Sequence, residues 1–272
     1  MENENEVNMH IQVLQWNISY MSKANSIASY LQTVLANEDI PTIICLQEVM
    51  EKTYLHLTEL LVPSFRCYSL NQRQRGNNEG MNRALGVAVI GFNLSLESCS
   101  LVERSVFPER TLDVICWYSD KRIRVLSFHS LTGVGYKNAK SSNFASIADH
   151  LELNPDIDFL CFDANEGKTD SLYLEKREFY DNGDKGQKAA LIMGASPVHK
   201  LQDSLLAHLQ AVGMIEDSNP LAVSFMTRKT PRRYDYIYSS TEWHVDRVEY
   251  RYEEALKATS DHAIVVGNFW RE

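Results

Sequence analysis

The stretch Ile157-Asp158-Phe159-Leu160-Cys161-Phe162-Asp163-Ala164-Asn165 decides how the rest of the chain is read. From Ile157 to Phe162 it is short, rich in β-branched or aromatic residues and apolar on both faces, the pattern of a strand covered on two sides within a layered structure. It then breaks into Asp163 and Asn165, whose two-residue spacing puts both side chains on one side of an extended chain. A carboxylate at the end of a buried strand is costly unless a metal ion or hydrogen bonds compensate it. Polar residues at strand ends are therefore the places to look for chemistry.

Five other runs share this pattern: Ile11 to Trp16, Thr42 to Leu46, Leu85 to Ile90, Arg124 to Phe128 and Ala263 to Val266. Between them lie one-sided helical patterns. Ser22 is placed to cap a helix carrying Ile27, Leu31, Val34 and Leu35 on one stripe. Phe144, Ile147, Ala148 and Leu151 form a second stripe after Lys137, and Leu201, Leu205, Leu209 and Val212 a third. Two-sided strands and one-sided helices predict sheets at the centre and helices outside.

The 272 residues, 44% hydrophobic and 23% charged, suffice for one sizeable core. Residues 1–9 read as a polar N-terminal tail and 10–272 as a single domain. No run approaches the roughly 18 apolar residues of a membrane span, and Met1 to Asn8 is acidic where a signal peptide is basic and then apolar. A protein of the cytoplasm is expected, with no protein partner inferable. Cys45, Cys67, Cys99, Cys116 and Cys161 form an odd, scattered set that reads as reduced core thiols. The net charge of −9 disfavours long, sequence-independent contact with duplex DNA. It leaves room for local basic rims at Arg73/Arg75/Arg83, Lys121/Arg122/Arg124 and Arg228 to Arg233.

Strand ends supply the candidate chemistry: Asn17 after the first run, Glu48 after the second, His129 after Ser127-Phe128, then Asp163 and Asn165. Asp235 lies in Arg233-Tyr234-Asp235-Tyr236-Ile237, and Asp261 and His262 open the last run. Each has an ordinary explanation alone, as a helix-start charge, a structural histidine or a turn. Together they gather where layered sheets usually bind ligands.

In their order these residues resemble the endonuclease/exonuclease/phosphatase superfamily, which includes pancreatic-type deoxyribonucleases, exonuclease III-like repair nucleases, inositol polyphosphate phosphatases and bacterial sphingomyelinases. The resemblance runs through Trp16-Asn17, Leu46-Gln47-Glu48, Gly86-Val87-Ala88, Phe128-His129, Asp163-Ala164-Asn165, Arg233 to Ile237 and Ser260-Asp261-His262. It implies an α/β fold, a four-layer α/β/β/α sandwich of two mixed sheets flanked by helices. It further implies Glu48 as the principal Mg²⁺ ligand, with Mn²⁺ a possible substitute, Asn17 and Asp261 as neighbours in the metal cluster, and His129 as a donor to the scissile phosphate. Asp163 and Asn165 would orient the attacking water, and Asp235 would hold His262. Either Asp163 or the Asp235–His262 pair could serve as base. The chain departs from the pattern at Ser19, where many members carry Asp, and at Phe162, where Gly is usual; the first favours one metal over two.

The expected reaction is hydrolysis of a phosphodiester in DNA or RNA. The alternatives are a phosphatase or phosphodiesterase acting on a small molecule or lipid headgroup, and a degenerate member that binds without cutting. Arg83, Arg233 and the stretch Leu131 to Lys137, with Tyr136 and Lys137 at the start of a helix, are the candidate substrate contacts.

Overall fold

Two six-stranded sheets are built on one plan in the computed structural model, which describes residues 8–35, 39–73, 84–214 and 216–272. The first sheet contains β1 (Met9–Asn17), β2 (Thr42–Val49), β3 (Phe65–Tyr68), β4 (Gly86–Phe92), β13 (His244–Arg251) and β14 (Ile264–Arg271). The second contains β5 (Ser95–Ser100), β6 (Thr111–Tyr118), β7 (Lys121–His129), β8 (Phe159–Asp163), β9 (Gln202–Asp203) and β12 (Asp235–Ser239). Their orders are β13-β14-β1-β2-β4-β3 and β5-β6-β7-β8-β12-β9. A hairpin of β10 (Phe225–Thr227) and β11 (Thr230–Arg232) stands apart. Helices are α1 (Ala24–Val34), α2 (Glu51–Leu61), α3 (Lys137–Leu153), α4 (Gln187–Met193), α5 (Ser204–Ala211) and α6 (Tyr252–Lys257). Each sheet has one parallel pair, β1 with β2 and β7 with β8, because α1 and α3 carry the chain back to the start of the next strand.

Period-two alternation sorts the side chains into layers. Ile11, Val13, Ile43, Cys45, Val125, Phe159, Cys161 and Ile237 meet between the sheets. Leu14, Trp16, Ile44 and Leu46 face the other way, onto Ile27 and Leu31 of α1 and Leu57 of α2. Leu126, Phe128, Leu160 and Phe162 likewise face Phe144 and Ile147 of α3 and Ile192 of α4. The result is the expected α/β/β/α sandwich. All five cysteines are free thiols, four of them buried. No helix among the described residues is long and apolar enough to cross a membrane.

The six strands that the sequence predicts, and the helices α1 and α3, fall where it places them, with three corrections. Ser22 does not cap α1: Lys23 holds the cap position without a side-chain bond, while the Ser22 hydroxyl donates to the Thr259 carbonyl. The third helix begins at Ser204, capped by Asp203, so Leu201 precedes it and Val212 is exposed beyond its end. Met9 is buried as the first residue of β1, one position inside the expected tail.

Candidate functional site

The same alternation explains why the polar residues converge. In β1 the inward row Ile11, Val13 continues to Gln15 and Asn17; in β7 Ile123, Val125 continues to Ser127 and His129; in β8 Phe159, Cys161 continues to Asp163. Asp235 precedes inward-facing Ile237 by two. One end of the inter-sheet layer is thus polar, and it lies at the C-terminal ends of both parallel pairs. Glu48 has the wrong parity for this row. An irregularity in the β2–β4 pairing between Leu46 and Val49, with Glu48 in the left-handed region at φ 56°, changes its direction.

The contacts are specific. Asn17 Nδ2 donates to Asp163 Oδ2 at 2.8 Å, and Asn17 Oδ1 accepts from the Ser19 N–H. Asp163 Oδ1 accepts the Asn165 N–H at 2.8 Å, and its Oδ2 lies 3.2 Å from Asn165 Nδ2. His262 Nδ1 is 2.9 Å from Asp235 Oδ2 and 4.0 Å from Asp163 Oδ2. Among the described residues, Asp163, Asp235 and His262 form a group whose ligating atoms lie within 4.8 Å of one another, all buried. Glu48 joins this trio through His129, whose Nε2 is 3.8 Å from Glu48 Oε1 and 3.7 Å from Asp163 Oδ2. The Glu48 side chain is 23% exposed, and its other oxygen accepts one long bond, 3.3 Å, from the Tyr20 N–H.

Charge is unequally shared in this cluster. Burial pulls the His262 pKa down, but Asp235 and Asp163 outweigh it and lift the imidazole to about 10. Burial, and then the neighbouring Asp235, raise Asp163 to about 7 against the opposing pull of His262 and Asn17. Burial, with Arg110 and His262 adding to it, holds His129 well below its ordinary value, so its ring is neutral.

Sequence reading missed Arg110. It ends the short turn Pro108–Arg110, outside any strand end flagged by the pattern, yet its buried guanidinium reaches His129 Nδ1 at 3.1 Å and the Ser130 carbonyl at 3.4 Å. The same Nη1 is 3.5 Å from His129 Nε2, so the guanidinium lies against both ring nitrogens, and Nε2 faces Glu48 and Asp163. Gln15 and Gln47 were also missed. They pair through reciprocal amide bonds of 2.7 Å, and Gln15 Nε2 reaches Asp235 Oδ1 at 3.2 Å, joining the two sheets beneath the site. Phe225 of the hairpin packs on His262 with ring centroids 4.5 Å apart.

The remaining candidates are placed as follows. Asp261 is exposed next to His262, makes no hydrogen bond or ion pair with a described residue, and adds to the upward pull on that imidazole. Tyr136 and Lys137 are exposed at the start of α3. Arg83 and Arg75 lie outside the described residues. The expectation for Arg233 is corrected: its guanidinium is buried, 3.1 Å from Asp170 and bonded to Asp203, and stacks on Tyr236. Its neighbours across the hairpin turn, Arg228 and Lys229, are the exposed basic residues there.

No family model matches this sequence, and no curated protein does. Solved structures do. TDP2 from D. rerio, complexed with a single-strand DNA product, is 13% identical, with 96% of this chain and 98% of that chain covered at a TM-score of 0.66. The human Nocturnin catalytic domain with a bound sulfate anion is 16% identical, with 97% and 95% covered at 0.61. An endonuclease/exonuclease/phosphatase family protein from Bacteroides thetaiotaomicron is 13% identical, with 98% and 99% covered at 0.56. Likeness at such identities speaks to architecture, and on that ground the chain has the endonuclease/exonuclease/phosphatase fold over nearly its whole length.

Proposed function

We propose that this chain is a divalent-metal-dependent phosphoesterase that hydrolyses a phosphodiester bond in DNA or RNA. The observation that supports this most is the meeting of Asn17, Glu48, His129, Asp163, Asn165, Asp235 and His262 at one end of the inter-sheet layer, from strands far apart in sequence. The single-strand DNA product held by D. rerio TDP2 extends it, by likeness, to a nucleic acid substrate.

The residues present fit a hard cation. Glu48, Asn17 and Asp261 offer oxygen atoms only, and the Glu48 carboxylate is half-buried with one long hydrogen bond. Such a set suits Mg²⁺, or Mn²⁺ in its place, over zinc, which takes more nitrogen and sulfur. Bound there, the cation supplies Lewis acidity to the phosphoryl and leaving oxygens.

The chain's own groups do the rest. His129 gives its Nε2–H to a non-bridging oxygen, and Asn165, whose amide makes bonds of 3.2 and 3.3 Å, turns an N–H to another. His262 already carries its proton at neutral pH, so it donates to the phosphoryl group, and Asp163, near its own midpoint, accepts the proton of the water. The water oxygen bonds to phosphorus as the ester P–O bond breaks, the water's proton stays on Asp163, and the leaving oxygen takes its proton from solvent. Five free thiols suit the reducing conditions of the cytoplasm.

The test is metal-dependent product release from single-stranded DNA, duplex DNA, RNA, nucleotides and inositol phosphates, with and without chelator. Glu48→Gln and His262→Ala should each lower turnover by about 100-fold or more. Activity within threefold of wild type in either variant, or no metal-dependent product from any substrate, overturns the proposal. The net charge of −9 and the inward placement of Arg233 favour, as a second reading, a small phosphorylated substrate.

A further inference from the structure

Beside Asn165 the surface opens into a cavity of roughly 380 Å³, within the range of about 300–1,000 Å³ that holds small ligands. Asn165 belongs both to its lining and to the cluster, so a phosphate held by the cluster places one of its substituents in this cavity. One wall is a row of hydroxyls. The Tyr180 and Tyr234 oxygens are 3.2 Å apart, and Thr227 Oγ1 is 3.4 Å from that of Tyr234. Burial raises the Tyr234 phenol, which therefore stays protonated and able to donate. The Tyr180 ring is half-buried and stacks with Arg232, 6.0 Å from the centroid, while Val134 on the facing loop is 87% exposed at the rim.

The charges decide what fits. Lys140 is the one cation lining the cavity among the described residues, and it is matched within the wall: its Nζ lies 2.8 Å from Glu166 Oε2 and donates to the Asn165 carbonyl. Glu166 is in turn held by the Asn182 amide at 2.9 Å and by the Tyr180 N–H. Asp181 adds a negative charge at the edge. A second phosphate entering here would meet a neutralised ammonium and an acid, whereas an uncharged ring would find an aromatic face and a row of donors and acceptors.

We infer that this cavity is the subsite for a nucleoside joined to the scissile phosphate, and that it selects a nucleotide diester over a substrate with a second phosphate at that position, such as an inositol polyphosphate. The inference rests on the phosphodiesterase reading above. The rest of a nucleic acid strand would leave past the hairpin turn, where Arg228 and Lys229 are exposed.

The experiment compares the 5′ and 3′ isomers of thymidine p-nitrophenyl phosphate with methyl p-nitrophenyl phosphate, a diester without a nucleoside. One thymidine isomer should be cleaved with the higher kcat/KM. Tyr180→Ala should lower its advantage over the methyl ester by about 5- to 100-fold, the usual effect of losing one aromatic contact to a base. Val134→Glu, at an exposed position that does not disturb folding, should lower it in the same direction. Equal rates for all three esters, or an advantage unchanged in both variants, overturns the subsite. If no ester is cleaved, the phosphodiesterase reading fails, and calorimetric titration with thymidine 5′- and 3′-monophosphate against inorganic phosphate still decides the cavity. Tighter binding of a nucleotide, lost in both variants, supports it; binding no tighter than inorganic phosphate overturns it.

Discussion

Replacing Arg110 with methionine removes the donor that fixes His129 while keeping a long side chain in the space. The 3.1 Å contact from Arg110 Nη1 to His129 Nδ1 is buried and charged, so it contributes about 1.5–3 kcal/mol. Nη1 is also 3.5 Å from Nε2, so the contact holds the ring in place without choosing between its tautomers. Without it the ring is free to turn, and the phosphoryl group loses an aimed donor, a change that typically costs about 10²–10³ in kcat. The neutral state of His129 rests on burial first and on Arg110 second, so its pKa should also rise towards the ordinary value. We expect kcat on a diester substrate to fall about 100-fold with KM changed far less, and the thermal midpoint to fall by about 3–12 °C. Arg110→Lys, which restores a charge but not the planar fork, should recover only part of the loss. A Met variant within threefold of wild type refutes the reasoning.

Three further outcomes follow from the same structure. The Asp203 carboxyl is held below its usual range: burial opposes this, but Arg233 and Arg177 prevail. Its stabilisation is present above the unfolded carboxylate pKa of about 3.9 and is lost as pH falls through the lower folded value. Asp203→Asn should therefore cost about 3–5 kcal/mol in urea unfolding at pH 7 and markedly less near pH 3, and an equal cost at both would contradict this. Gln15→Leu leaves Gln47 and Asp235 each short of a buried partner, so a loss of about 1–3 kcal/mol is expected in the same assay, and a neutral effect would show the amide pair to be dispensable. Turnover of a nucleic acid should fall steeply between about 50 and 200 mM salt, and near-constancy would move the assignment to a small phosphorylated molecule.

The layered architecture was legible because buried strands in such a fold are apolar on both faces, and β1, β2, β4, β7, β8 and β14 all carry that mark. The edges were not. β5 is mostly exposed and β13 buries only one of its eight residues, and strands open to solvent on one side lose the two-sided signature. At the site, residues that end a buried strand could be found, since position alone makes Asn17, His129 and Asp163 anomalous. Arg110 could not, because it enters through a turn and its partner is 19 positions away in sequence. Arg233 misled for the opposite reason. A run of basic residues reads as a surface, but the alternation that turns Arg232 outward turns Arg233 into a buried pocket of acids. The geometry of Glu48 was equally hidden, because its left-handed backbone is a property of the β2–β4 irregularity and not of the residue type.

The strand neighbouring β1 on one side is β14, with Met9 opposite Arg271 and Gln15 opposite Val265. During synthesis on the ribosome, the first strand therefore keeps an open edge until residues 264–271 have been made, and His262 is delivered in the same step. The sheet edge and the polar cluster of Asp163, Asp235 and His262 are thus completed together. A nascent or prematurely terminated chain that stops before β14 should depend on chaperones to shield that edge.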